Sequence, residues 1–572
     1  MLKSVLLTAQ QPAPFIRLVN PLKELNEVSA ARNFIIGSTC KTCRVMINNI
    51  PVKVYPTGAF VQELNLKEGD SLFLIQSNTP EGKMVSKKLQ YLYRKTAEAK
   101  AVTEFAMASI RTFPEGNLVL KPGDIINFRV KALTGCTVEW PGKMRLYELP
   151  ALQTEGIAGI YQGSYAIKET DSFSRFQVPL TLIDSSGKKI QKSTDAYFSV
   201  ISALASDIGI TKGRLAHLEY GLGDDRLGGA KMGYIDSLIR LKITGKFGNK
   251  YRVQLAPSRI AYIPEEHVEL MPKGTFAPSS LSGKWRIAGY SAFDKLEVQF
   301  FQRLPYQVKL LTNPSRIEVD IFGATNNTNW IDQTNTAKEI TRATYEQVAD
   351  DIFRITIFLK HQQHWGQEVY YDKNQLVVKV RHQPEELSLK RLTIAVDAGH
   401  GGSNTGAVGP TGITEKELTL SVALKLQKLL ASKGAKVIMT RNKETFFDNK
   451  ERILFYRDSL PDLLVSIHLN SSTDPIRAKG TATFYRYDAF RPLSKSIYEE
   501  MIQLGMPEYG NNGSFNFMLN SPVEYPNALI EALFLSNPEE EMLILDESFQ
   551  QRLAEKIVKG IEVFLENCKQ DK

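Results

Sequence analysis

The hydrophobic pattern of this 572-residue chain changes character once, at the polar, Pro-bearing stretch Gln383-Pro384-Glu385-Glu386-Leu387. Before it, short runs alternate apolar and polar residues between Gly, Pro and Asp breaks, as in Val52-Lys53-Val54-Tyr55-Pro56-Thr57-Gly58 and Thr181-Leu182-Ile183-Asp184-Ser185-Ser186-Gly187. A period of two punctuated in this way specifies antiparallel β structure with one buried face. After it, apolar runs alternate with helical periodicity, the pattern of an α/β domain. Residues 392–396, 435–440, 463–467, 481–485 and 528–533 read as strands. Helices are predicted over 415–432, where Leu418, Val422, Leu426 and Leu430 share a face, over 450–458, from Leu493, and over 549–564.

At roughly 150 residues per domain the chain holds about four or five domains. No stretch approaches the roughly 18 uninterrupted apolar residues of a membrane-spanning helix, so a polytopic helical membrane protein is not expected. The net charge of +9 is unevenly placed: residues 387–572 carry 22 basic and 24 acidic side chains, leaving 49 against 38 for residues 1–386. The basic front favours an anionic partner such as nucleic acid, acidic lipid or a wall polymer, with a generally solvated basic surface as the plainer reading. It shows no basic cluster interleaved with aromatics, so a nucleic-acid partner is not expected. Cys40 and Cys43 are the only close pair, readable as a local disulfide, a redox pair or two thiols. The N-terminal run Met1-Leu2-Lys3-Ser4-Val5-Leu6-Leu7-Thr8-Ala9 is shorter than the roughly 7 to 15 apolar residues of a secretory core, so no complete signal peptide is visible.

The α/β part contains two histidines, His400 and His468, each placed immediately past a predicted buried strand. Strand carboxyl ends are where such domains put ligands. Two imidazoles there suit a transition metal that takes a carboxylate as third ligand. Thr414-Glu415-Lys416-Glu417 opens the first helix as a capping box in which Thr414 and Glu417 reach for each other, leaving Glu415 free to ligate. Glu531 stands inside the apolar strand Ala528-Leu529-Ile530-Glu531-Ala532-Leu533, where an ionised carboxylate costs several kcal/mol unless it is paired or its pKa moves. Its expected role is a general base whose pKa burial raises.

The runs Ala398-Gly399-His400-Gly401-Gly402, Gly412-Ile413-Thr414-Glu415-Lys416, Thr440-Arg441, Ser466-Ile467-His468-Leu469-Asn470 and Ile530-Glu531-Ala532-Leu533-Phe534-Leu535-Ser536-Asn537 resemble the zinc-dependent N-acetylmuramoyl-L-alanine amidases of bacterial cell walls. The resemblance covers about residues 390–567 and implies a zinc hydrolase domain with a mixed sheet flanked by helices. It implies His400, Glu415 and His468 as zinc ligands, Glu531 as catalytic acid/base, and peptidoglycan as substrate. Asn470 and Ser471, by their adjacency to His468, are expected to orient substrate or bind the developing oxyanion. Asn404 stands where the family often has Asp, and Leu533 where it often has Gly. Both bear on hydrogen bonding and packing around the site. The alternatives are a zinc peptidase of the stem peptide, which would use the same ligands, and a catalytically inactive wall-binding scaffold, which a missing ligand would favour.

The front divides into four expected modules. Residues 1–104 and 105–204 look like two immunoglobulin-like units, echoed in Leu66-Lys67-Glu68-Gly69-Asp70 and Leu120-Lys121-Pro122-Gly123-Asp124. Residues 205–277, with Ala261-Tyr262-Ile263-Pro264 and Val268-Glu269-Leu270, resemble a small Src-homology-like barrel. Residues 278–386, with strict alternation after Pro314-Ser315, are similar to the envelope-targeting β-domain that precedes cell-wall amidases. Residues 387–572 would be the catalytic domain. A wall substrate implies a location in the cell envelope, periplasmic or secreted.

Overall fold

The structure is a computed structural model and describes residues 13–94, 101–154, 156–202, 206–223 and 227–570, so the apolar run of residues 1–9 lies outside it. Two compact units divide the chain, one of residues 1–96 with 384–572 and the other of residues 97–383.

The C-terminal part of the first unit is a six-stranded mixed sheet with helices. Its elements are β1 (Thr393–Ala398), α1 (Glu415–Ser432), β2 (Lys436–Ile438), α2 (Asn449–Ser459), β3 (Leu463–Asn470), β4 (Thr481–Phe484), α3 (Arg491–Met501), β5 (Glu508–Asn512), β6 (Asn527–Phe534), α4 (Pro538–Leu545) and α5 (Glu547–Gln570). The strands run in the order β2-β1-β3-β6-β4-β5. The first four are mutually parallel, β4 is antiparallel to β6, and β5 is parallel to β4. Central parallel strands are covered on both faces, which is why β1, β3 and β6 are almost continuously apolar.

The helical face expected from the sequence is the one that packs: Leu418, Val422, Leu426 and Leu430 of α1 are all buried. Helix α5 lies against both α1 and α3 and buries Leu553, Ile557, Ile561 and Phe564. Thr414 and Glu417 form the expected capping box, with Thr414 N–H donating to Glu417 Oε2 at 3.0 Å. Two elements escaped the sequence reading. Strand β5 is Glu-Tyr-Gly-Asn-Asn, with no apolar run to mark an edge strand, and α4 is a short helix following directly on β6.

The N-terminal part of this unit has two sheets. One holds Arg17–Asn20, Arg32–Ser38 and Ala59–Asn65. The other runs Leu25–Val28, Met84–Tyr93, Gly69–Asn78, Arg44–Ile47, Ile50–Val52. Leu18, Ile35, Phe60, Ile75, Leu89 and Tyr91 share their core. The expected antiparallel pairing holds except at the edge, where Leu25–Val28 runs parallel to Met84–Tyr93. Cys40 and Cys43 are joined in a disulfide.

The second unit is built of strands. Met107–Phe113, Ile125–Ala132, Thr137–Trp140, Met144–Glu148, Ile160–Ala166, Pro179–Ile183 and Lys189–Ser193 surround a core of Phe128, Trp140 and Tyr165. A nine-stranded sheet over residues 207–270 also takes in Leu118–Leu120 and Phe198–Val200. Residues 285–381 form a five-stranded and a four-stranded sheet. In the latter, Tyr306–Thr312 and Ser315–Phe322 make a hairpin through Asn313-Pro314, with Ile317, Val319 and Ile321 turned inward as the alternation requires.

Leu426 is fully buried in the α1 face. Leu426→Ala is expected to lower stability by about 2–5 kcal/mol, read from urea unfolding.

Candidate metal centre

The centre is assembled at the carboxyl ends of β1 and β3 and the start of α1. His400 is carried on the turn after β1 with a φ of 61°, in the left-handed region that a non-glycine residue enters at a cost. Buried arginines hold that turn. Arg441 Nε donates to the Ala398 carbonyl at 3.1 Å and Nη2 to the Gly399 carbonyl at 2.8 Å. Arg452 Nη1 donates to the Ala398 carbonyl at 2.7 Å, and Nη2 donates to the His400 carbonyl. Arg452 is in turn fixed by Asp397, fully buried at the end of β1, whose Oδ1 lies 2.8 Å from Nη1. Ser466 and Thr440 hydroxyls donate to the same carboxylate at 2.8 and 3.0 Å, and the Tyr456 hydroxyl at 3.1 Å. Burial pushes the Asp397 pKa up, but the Arg452 charge and the hydrogen bonds outweigh it and hold the carboxyl below its usual value.

His468 lies inside β3 rather than past its end, because pairing of β3 with β6 continues to Asn470. His468 sits directly beside Glu531 of β6, so the two side chains share one face of the sheet. The ladder then slips: Asn470 pairs with Phe534, leaving an extra residue in β6 just after Glu531. A bulge of this kind re-aims neighbouring side chains. The backbone passes so close at Gly399 that a Cβ there would fall 2.5 Å from the His468 ring.

The atoms His400 Nε2 and His468 Nδ1 converge on Glu415 Oε1 at 3.0 and 3.1 Å. One ligand atom from each of the three residues lies within 4.8 Å of the others. Glu415 is buried, and its carboxylate also accepts the Leu469 N–H at 3.0 Å and the Ala407 N–H at 2.8 Å. Burial raises its pKa, yet the two imidazoles prevail and hold it well below the carboxylate range. Burial likewise lowers His400, but the Glu415 contact overrides it and the imidazole titrates above its usual value. Two imidazole nitrogens and one oxygen of a buried carboxylate form a donor set that fits a divalent transition metal.

The structure brings His400, Glu415, His468 and Asn404 together. Asn404 Oδ1 lies 2.9 Å from His400 Nδ1, where it accepts that proton and leaves Nε2 facing the cluster. Glu531 is half-buried, not enclosed as its apolar flanks suggest, while Ile530 and Ala532 on either side stay buried. Asn470 is half-buried with its Oδ1 accepting the Ser471 N–H at 2.8 Å, and Ser471 is exposed. Between Asn470 and Thr481 no helix occurs among the described residues. Asp397 and Arg452 were not found from the sequence. The signal for Asp397 was the one that exposed Glu531, a carboxylate in an apolar strand.

Residues 394–563 match the sequence model of the N-acetylmuramoyl-L-alanine amidase family, and residues 285–380 match that of the AMIN domain. The chain is 29% identical to the N-acetylmuramoyl-L-alanine amidase AmiC of Neisseria meningitidis, over 31% of this chain and 53% of that protein. It is 31% identical to the probable cell wall amidase LytH of Staphylococcus aureus, over 32% of this chain and 60% of that protein. The chain thus spans between half and two thirds of the length of these relatives. Among solved structures, an N-acetylmuramoyl-L-alanine amidase from Clostridium difficile 630 is 33% identical, covering 31% of this chain and 98% of that one, with a TM-score of 0.30.

Asp397→Ala would leave the Arg452 guanidinium buried and unpaired, and is expected to cost about 3–5 kcal/mol in chemical denaturation. A second expectation concerns Glu541 of α4, whose burial raises its pKa to about 7 while Thr411 holds one of its oxygens. Between its ordinary value of 4.5 and about 7 the folded protein binds more protons than the unfolded chain, so this group's contribution to stability falls as pH rises through that window. Glu541→Gln should therefore melt higher than the parent at pH 8, by on the order of 2 kcal/mol, with the gap closing towards pH 5.

Proposed function

We propose that this protein is a peptidoglycan hydrolase that cleaves the amide between the lactyl group of N-acetylmuramic acid and the L-alanine of the stem peptide. The observation that carries the reading is the convergence of His400, Glu415 and His468, within the segment that matches the amidase family. These three would hold a zinc ion. Bound there, zinc supplies Lewis acidity, polarising the scissile carbonyl and lowering the pKa of a water molecule towards about 7.

The chain's own residues do the rest. Glu531, beside His468 on the adjacent strand, takes the proton from the attacking water as the oxygen bonds to the lactyl carbonyl carbon. It returns that proton to the alanine nitrogen as the C–N bond breaks, leaving a muramyl carboxylic acid and a peptide with a free amino terminus. Asn404 keeps the His400 ring oriented through Nδ1. Asn470, at the end of β3, and Ser471, just past it, orient the substrate beside His468.

The module boundaries drawn from the sequence, including the immunoglobulin-like and Src-homology-like assignments of residues 1–277, belong to the same reading. They are supported by the strand-rich build of that region. The AMIN match supports a location in the cell envelope, and the basic excess before residue 387 supports anionic wall polymers as partners.

The reading is tested with Glu531→Gln. Zinc binding should persist, while turnover of purified peptidoglycan falls at least 10²-fold. Retained turnover would remove Glu531 from the mechanism, and activity indifferent to chelation would remove the metal.

A further inference from the structure

The N-terminal β module is seated on the catalytic domain through three basic side chains, two on the segments that follow His400 and His468 and one on α4. Residues 13–94 carry 11 basic and six acidic side chains against the acidic excess of residues 387–572. Arg17 Nη1 donates to the Thr411 carbonyl at 3.1 Å, and its side chain lies over Gly412, where a Cβ would meet it at 3.1 Å. Arg32 is held fork-to-fork by Glu63 at 2.8 and 3.0 Å, which aims its remaining Nη1 at Asp474 Oδ2, 2.6 Å away. Lys53 Nζ lies 3.2 Å from Glu539 Oε1, and strand Ala59–Asn65 runs alongside α4.

Each grip leads by hydrogen bonds to the site. Residues 405–414 double back as a small loop: Gly409 N–H donates to the Ile413 carbonyl, and Val408 bridges Thr414. At its base Ala407 N–H donates to Glu415 Oε2, and Glu415 N–H returns to the Ala407 carbonyl. Its tip is clamped between Arg17 on one side and Glu541 on the other. Asp474 organises the loop after Asn470, accepting the Ile476 and Arg477 N–H groups, while its own N–H donates to Ser472 Oγ. Ser472 N–H in turn donates to Ser536 Oγ, just past β6. Asn537 caps α4 and donates to the Ile476 and Ala478 carbonyls, tying that helix to the same loop.

We infer that residues 13–94 are a positioning element of the catalytic unit, in which Arg17 and Arg32 hold the loops that follow His400 and His468 and so hold Glu415 and the end of β3 in register. The inference rests on the reading of His400, Glu415 and His468 as metal ligands. Each ion pair is partly exposed and weak alone. Three contacts spread over one interface act together, because the segments they hold are joined to one another through α4.

The test uses the full chain with Arg17→Ala/Arg32→Ala/Lys53→Ala, and with Lys88→Ala, an exposed residue of Met84–Tyr93, as control. Hydrogen exchange read by mass spectrometry should speed at least tenfold over residues 405–414 and 471–480 in the triple variant, while β1 and β3 stay protected. Zinc affinity, from competition with a chromophoric chelator, should fall about tenfold or more. Arg32→Lys on the parent chain, which retains a cation opposite Asp474, should preserve both, and Lys88→Ala should change neither. Unchanged exchange and zinc affinity in the triple variant would overturn the inference. So would equal loss of protection throughout the sheet, which would mean general destabilisation. Neither readout involves turnover, so a protein that proves to cut another bond leaves this inference standing, whereas a parent chain that binds no zinc fails the metal reading itself.

Discussion

The centre depends on a buried charge pair that touches it through the His400 carbonyl. Asp397 and Arg452 are both enclosed, and their contact is tolerable in a low-dielectric interior because further hydrogen bonds serve both groups. The carboxylate takes three hydroxyls, and the guanidinium takes the carbonyls of Ala398, His400 and Phe447. Arg441 adds the Gly399 carbonyl. Three successive carbonyls are thus pinned, which is what keeps His400 at a positive φ with its ring turned towards Glu415. The strain at one residue is stabilised by a network spread over β1, the Thr440-Arg441 segment, α2 and β3.

The charge asymmetry of the chain acquires a local meaning from the same structure. A basic front suggests an external anionic partner, and that remains the ground for proposing wall polymers. Yet Arg17, Arg32 and Lys53 of the first module are directed at the catalytic domain of their own chain. Part of the basic excess is therefore spent on intramolecular docking. The first module also joins the catalytic domain in one compact unit, separate from residues 97–383.

Legibility followed the physics of each signal. Helix α1 and its cap could be read to the residue because apolar periodicity and capping chemistry agree there. His400, Glu415 and His468 could be singled out because strand ends and an unneeded helix-start carboxylate are visible in one dimension. Strand β5 was not, since Glu508 to Asn512 pair by main chain at a sheet edge and bury little. The placement of His468 within β3 depended on a ladder with β6 that no local pattern encodes. Arg452 is one of several charged residues in the helix expected over 450–458, with nothing local to mark its burial, and only a carboxylate at Asp397, at the end of an apolar strand, carries a hint. The grips of Arg17 and Arg32 span about 400 residues of sequence, a separation at which single-sequence patterns say nothing.

The most direct measurement is mass spectrometry of the products released from purified peptidoglycan by the zinc-loaded protein. The account predicts intact stem peptides bearing free L-alanine amino termini, together with glycan strands whose lactyl groups end in carboxylates. Fragments cut within the stem peptide would contradict it, and would assign the same His400, Glu415 and His468 constellation to a peptidase.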